Sequence, residues 1–204
     1  MTTVAIARYG AGNVRSVELA LQRLGAELVD DLALADLAVL PGVGSARSAM
    51  DGLGEAVAVL RERHTTGRPI LGICLGLQLA LDETEEDGGV AGLGLVPGRA
   101  VRLREGRVPR IGWAPVEPAM AGSAGDQAAD ARPIHPVAFG DGGTAYWFAH
   151  SYAAETPAVT ATSEGLAAIV ERGSFVGVQF HPEKSGPAGA RFLRTVLDRC
   201  LSPA

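Results

Sequence analysis

Arg68-Pro69-Ile70-Leu71-Gly72-Ile73-Cys74-Leu75-Gly76-Leu77-Gln78 carries an apolar run into a cysteine held between two glycines. Ile70 to Ile73 has the length and the β-branched content of a buried strand, and the leucines and glutamine after Cys74 suit a helix. The pattern Gly72-Ile73-Cys74-Leu75-Gly76 has the form of a nucleophile elbow, G-x-S-x-G with sulfur in place of oxygen. In an elbow the nucleophile sits on a strained turn between strand and helix, and the glycines let the two backbones approach. A cysteine there faces a helix N-terminus, which favours thiolate, and the N–H of Leu75 points to where an oxyanion would form. A small buried thiol at a strand end fits the same residues, so the turn alone leaves both readings open.

The flanking sequence repeats the strand-turn-helix pattern. Val4-Ala5-Ile6-Ala7 leads through Tyr9-Gly10-Ala11-Gly12 to Asn13, a suitable cap for a helix carrying Val14, Val17, Leu21 and Leu24 as far as Gly25. Leu37-Ala38-Val39-Leu40 leads through Pro41-Gly42-Val43-Gly44 into one helix-like stretch from Ser45 to His64. Strands alternating with helices predict an α/β fold with a parallel sheet covered on both faces. After Gly92 short β-rich runs take over: Ala100 to Leu103, Ala145 to Phe148, Ala167 to Val170 and Phe175 to Phe180. They predict an antiparallel or mixed half of the same sheet system. The Ala, Gly, Pro and Asp rich segment from Glu117 to Gly143 reads as a long surface loop, and residues 1–204 as a single domain. On the last helix Ala190, Phe192, Leu193, Val196, Leu197 and Cys200 share a face, which makes Cys200 a packing residue.

Bulk composition narrows the function. With 204 residues, 47% of them hydrophobic, the chain can bury a substantial core. A net charge of −5 without a basic run argues against nucleic acid as a partner. No apolar run reaches the length of a membrane span and the N-terminus has no signal-peptide core, so a cytoplasmic protein is expected. Two distant cysteines and unclustered histidines support neither a disulfide framework nor a metal site, and no cofactor is expected.

A nucleophile requires a base. Of the histidines at 64, 135, 150 and 181, only His181 follows a buried strand, Val176-Gly177-Val178-Gln179-Phe180, at the end where open α/β sheets keep their ligands. Glu183, two residues on, can accept a hydrogen bond from the imidazole and fix its tautomer. The Gly-rich turn Pro41 to Gly44 offers backbone N–H groups to an oxygen that turns negative.

Together these residues resemble the class I, triad-type glutamine amidotransferases, and within them the glutaminases of the histidine pathway. The resemblance runs over Tyr9 to Asn13 with Arg15-Ser16-Val17, Pro41-Gly42-Val43-Gly44, the elbow through Gln78, Pro109-Arg110-Ile111-Gly112-Trp113, His150-Ser151-Tyr152 and Gln179 to Ser185. It implies a flavodoxin-like fold and a Cys74, His181, Glu183 triad that hydrolyses L-glutamine to glutamate and ammonia. It also implies an oxyanion hole at Val43 and Leu75, and substrate contacts from Gly44, Gln78, Glu86, Ser151 and Tyr152.

Such glutaminases pass ammonia to a (β/α)₈-barrel synthase that makes imidazole glycerol phosphate and an aminoimidazole carboxamide ribonucleotide. By the same resemblance Gly42, Arg15, Arg110, Trp113, His150 and Lys184 belong to the partner interface or its activation signal, with Gly42 allowing a peptide rearrangement. Arg8 replaces the usual Asp, Ala114 replaces a common Asn, and the Glu117 to Gly143 loop is long for the family. The alternatives are a glutaminase serving another synthase, and a redox-sensing protein of the same fold; Gln78 and Glu183 favour acyl chemistry over the second.

Overall fold

The structure is a computed structural model, and it describes residues 1–10, 14–42, 44–119 and 143–200. In chain order the first half comprises β1 (Thr3–Ile6), α1 (Val14–Arg23), β2 (Glu27–Val29), β3 (Leu37–Leu40), α2 (Ala46–Leu53), α3 (Ala56–Thr65), β4 (Ile70–Ile73) and α4 (Leu75–Ala80). The short strands β5 (Glu83–Thr84) and β6 (Val90–Ala91) follow, then β7 (Arg99–Arg102), β8 (Arg110–Pro118), β9 (Thr144–His150) and β10 (Tyr152–Glu155). The chain continues through β11 (Val159–Ser163), β12 (Leu166–Arg172), β13 (Phe175–Val178), a 3-10 turn at Pro182–Lys184 and α5 (Gly186–Cys200).

Nine strands form one sheet in the order β2-β1-β3-β4-β13-β12-β11-β8-β9. The pairings from β2 to β13 are parallel, and those from β13 to β9 antiparallel. β3, β4 and β13 are buried throughout, as strands covered on both faces must be. One face packs Val17 and Leu21 of α1 with Phe192, Leu193 and Val196 of α5. The other packs Leu60 of α3 and Leu75, Leu77 and Leu79 of α4. The fully buried Arg63 of α3 donates to the carbonyls of Leu32, Ala33, Ala35, Asp36 and Pro69, tying the loops at the strands' N-terminal end.

Three expectations need correction. The stretch from Ser45 to His64 is two helices, because the chain turns at Gly54 with φ +47°, a conformation that favours glycine. The runs after Gly92 do not share one sheet: β7 and β10 leave the main sheet and join β5 and β6 in a separate sheet ordered β10-β7-β5-β6. Glu117 and Pro118 are not loop but the end of β8, paired with Thr162 and Ala161. The rest of the expected loop, apart from Ala119 and Gly143, lies outside the described residues, as does Asn13. Among the described residues no helix is long and apolar enough to cross a membrane.

Candidate active site

Cys74 joins β4 to α4 with φ +49° and ψ −101°, a conformation rare outside glycine, and its N–H donates to Val178 of β13 at 2.7 Å. The elbow glycines are required by contact. A Cβ on Gly72 would lie 2.8 Å from the Gly76 carbonyl oxygen, and one on Gly76 would lie 2.1 Å from that of Leu40. Leu75 is the first residue of α4, so its N–H has no partner within the helix and is available to an oxyanion.

His181 stands beyond β13, the strand paired with β4, which brings it beside Cys74. Its backbone is clamped to β9: the N–H donates to the Trp147 carbonyl at 2.8 Å, and the carbonyl accepts from Ser185 Oγ at 2.7 Å. Ser185 Oγ in turn accepts from the Trp147 N–H at 2.9 Å. His181 Nδ1 meets Glu183 Oε1 at 2.8 Å, with both side chains almost fully buried. Burial alone would push the imidazole pKa down. Hydrogen bonding to Cys74 and Glu183 and the charges on both outweigh it, and the pKa rises to about 9. An imidazolium beside a thiol stabilises negative charge on sulfur.

Pro41 and Gly42 lie directly on the elbow. A Cβ on Gly42 would come 1.8 Å from the Ile73 carbonyl oxygen and 2.9 Å from Cys74 Cβ, so close approach is what this position demands in the structure. Tyr9, buried at the end of β1, donates its hydroxyl to the Pro41 carbonyl. Burial, and then Cys74, raise its pKa, which keeps it a neutral donor. Val43 lies outside the described residues. Gly44 is exposed at the start of the turn leading to α2.

Glu86 is half-buried and accepts from the Ala46 N–H at 3.0 Å, which brings it to the Gly44 side of the site; burial raises its pKa. Gln78, on α4 one turn after Cys74, is buried and donates through Nε2 to the Tyr152 carbonyl at 2.9 Å and to Gln179 Oε1 at 3.2 Å. Ser151 and Tyr152 lie where β9 passes into β10.

The expected interface residues divide. Lys184 is exposed beside the triad, and Arg15 is exposed on α1, which packs against the Pro182–Lys184 turn. Arg15 shares Glu18 with Arg8, the residue that replaces the family's Asp. Trp113 is 56% exposed and meets Trp147 edge-on at 6.0 Å. His150 is not a surface residue. It is buried with Nδ1 on the Tyr152 carbonyl at 2.9 Å, and burial, with Arg110 and His181 nearby, lowers its pKa to about 4 against the opposing hydrogen bond. Arg110 is likewise engaged within the chain, bonding Ser163 Oγ at 2.7 Å and Glu164 at 2.9 Å and lying 4.2 Å over the Phe148 ring. Ala114 faces the core opposite Tyr146, where an apolar side chain fits.

Sequence reading gave no role to Ser185, to the Tyr9 hydroxyl or to Gln179. All three stood inside quoted motifs, but Trp147, Pro41 and Gln78, which they meet, are distant in sequence.

Fold and site together define an α/β protein with a strained cysteine elbow and, beside it, a buried histidine bonded to a glutamate, at the C-terminal ends of a parallel sheet. The chain belongs to the class-I glutamine amidotransferase family, whose model matches residues 5–200. It is 43% identical to the imidazole glycerol phosphate synthase subunit HisH of Moorella thermoacetica, with 95% of this chain and 93% of that protein covered. The subunit of the same name from Natronomonas pharaonis is 40% identical, with 97% and 95% covered. Among solved structures, one titled glutamine amidotransferase superposes with a TM-score of 0.71 at 20% identity, covering 98% of this chain and 99% of that one. A glutamine amidotransferase from Thermotoga maritima gives a TM-score of 0.66 at 17% identity, covering 98% of each chain.

Proposed function

We propose that this chain is the glutaminase subunit of an imidazole glycerol phosphate synthase, working in the cytoplasm as a heterodimer with a (β/α)₈-barrel subunit. The carrying observation is the strained Cys74 beside a His181 that Glu183 orients, in a chain similar along nearly its whole length to such subunits.

Cys74 Sγ attacks the side-chain amide carbon of L-glutamine, and the N–H groups of Leu75 and Val43 hold the developing oxyanion. His181 Nε2, protonated at neutral pH, gives its proton to the departing nitrogen, so ammonia leaves and a thioester remains. The neutral imidazole then takes a proton from water, which attacks the thioester and releases glutamate. Glu86 meets the substrate ammonium, and Gly44, Ser151 and Tyr152 lie near its carboxylate. Gln78 contributes Oε1, since both its N–H groups are engaged with protein acceptors.

The outer face of β8 and β9 supports the partner reading. Ile111 is 61% exposed and Trp113 56%, on the strand register opposite to the core-facing Ala114 and Val116. The β8–β9 face is tied to His181 through Trp147, so the partner docks next to the base. Lys184 and Arg15 flank the same region.

The test is glutamate release by the isolated chain and by the chain with a barrel synthase and its nucleotide ligand. Slow hydrolysis alone and strong stimulation by the loaded partner are expected. Full turnover alone, or no response to any barrel synthase, would overturn the reading.

A further inference from the structure

Buried amides behind the nucleophile form a chain whose polarity is fixed from one end. A carbonyl oxygen can only accept, so the Tyr152 oxygen takes the Gln78 Nε2 hydrogen at 2.9 Å and the His150 Nδ1 hydrogen at 2.9 Å, which occupies both its lone pairs. Gln78 therefore faces Tyr152 with its amide nitrogen, and the same nitrogen's second hydrogen reaches Gln179 at 3.2 Å. Gln179 must answer with its oxygen. Its nitrogen is thereby turned to Cys74 Sγ, 3.4 Å away. Gln179 is fully buried and Gln78 almost so, leaving no water to relieve a flipped amide.

We propose that Gln179 is a positioning residue for the glutaminase reaction: its side-chain amide donates to Cys74 Sγ in the orientation that Tyr152 imposes through Gln78, and it holds the sulfur as an acceptor ready to ionise. The proposal rests on Cys74 being the nucleophile. Two neighbours of the sulfur compete. The Ala149 carbonyl, 3.8 Å from Sγ, can only accept and so favours the protonated thiol. The Gln179 N–H favours the thiolate, because a hydrogen bond to an ionised acceptor is shorter and about twice as strong as a neutral one. The Gln179 contact is also the shorter of the two. The titratable groups that face Cys74 are His181, hydrogen-bonded to it and held by Glu183, and Tyr9 beyond the end of β1, and Gln179→Met alters none of these side chains.

The experiment is the rate of iodoacetamide alkylation of Cys74 against pH in the full chain, followed on the peptide that contains it. Cys200 is scored separately; burial and Asp36 push that thiol up to about 11. Gln179→Met keeps volume and removes the donor, so the midpoint of the curve should move up by about one pH unit. In the complex, kcat should fall about tenfold with KM little changed, because sulfur and not substrate loses its partner. Gln78→Met keeps Gln179 but removes the hydrogen that orients it, and should shift the midpoint the same way by a smaller amount. An unchanged midpoint in a folded Gln179→Met protein overturns the proposal. If that variant does not fold, an unchanged midpoint in Gln78→Met does so. Failure of the wild-type complex to hydrolyse glutamine would instead overturn the glutaminase reading and leave the alkylation curves interpretable.

Discussion

His150, at the end of β9, and His181, beyond the end of β13, are both buried in the same wall of the site, 4% and 1% exposed. Burial acts on both in the same direction, against the charged ring. At His150 nothing reverses it: Arg110 and His181 add to the effect, the Tyr152 carbonyl opposes it only partly, and the ring stays neutral at physiological pH. At His181 a carboxylate at 2.8 Å and the neighbouring thiol overcome it, and the ring carries charge. Desolvation therefore does not decide which buried histidine carries charge. The hydrogen bonds and charges of Cys74 and Glu183 decide it.

That contrast is tested most severely by removing each ring. His181→Asn should reduce glutamine-dependent turnover by about 10⁴-fold or more, whereas His150→Asn should stay within about tenfold of wild type. Steady-state assays of both complexes that gave the reverse ranking would break the comparison.

Glu183→Gln sharpens it by removing one of the two groups that distinguish the sites. Turnover should drop by about 10²-fold, and the His181 pKa should fall from about 9, with Cys74 retaining part of the rise. Nitrogen chemical shifts of the imidazole followed against pH provide the check.

Stability should carry the same signature with smaller size. His181, raised in the folded protein from 6.5 to about 9, contributes stability that is complete below pH 6.5 and lost as pH climbs to about 9. His150, lowered from 6.5 to about 4, contributes stability present above 6.5 and lost as pH falls toward 4. Denaturation midpoints across this range should flatten on the alkaline side in His181→Asn and on the acid side in His150→Asn. The smallest effect is expected from Arg110→Met, which removes one cationic neighbour and should raise the His150 pKa by less than about one unit.

The elbow was legible in the sequence because its rules are local: glycines two residues either side of a strand-end cysteine, then a helix. His181 and Glu183 were legible for the same reason, being two residues apart after a buried strand. Glu27–Val29 was not, since only three residues, one of them a glutamate, form that edge strand. The second sheet was hidden because β7 pairs with β5 and with β10, whose partners lie far apart in the chain. The burial of His150, expected at the partner interface or in its activation signal, was not legible because its motif gives no sign of which face of β9 it takes. Register against β8 puts it on the core side with Phe148 and Tyr146.

The Tyr152 carbonyl sets the tautomer of His150 and the orientation of Gln78 together, yet it belongs to the main chain. Replacing the tyrosine leaves that oxygen where it is, so a scan of side chains would pass over it. What would disturb it is displacement of β10 along β7, where Tyr152 pairs with Arg102. Insertions or deletions between Arg102 and Arg110 should therefore be felt at Cys74 more strongly than substitutions at residue 152 itself.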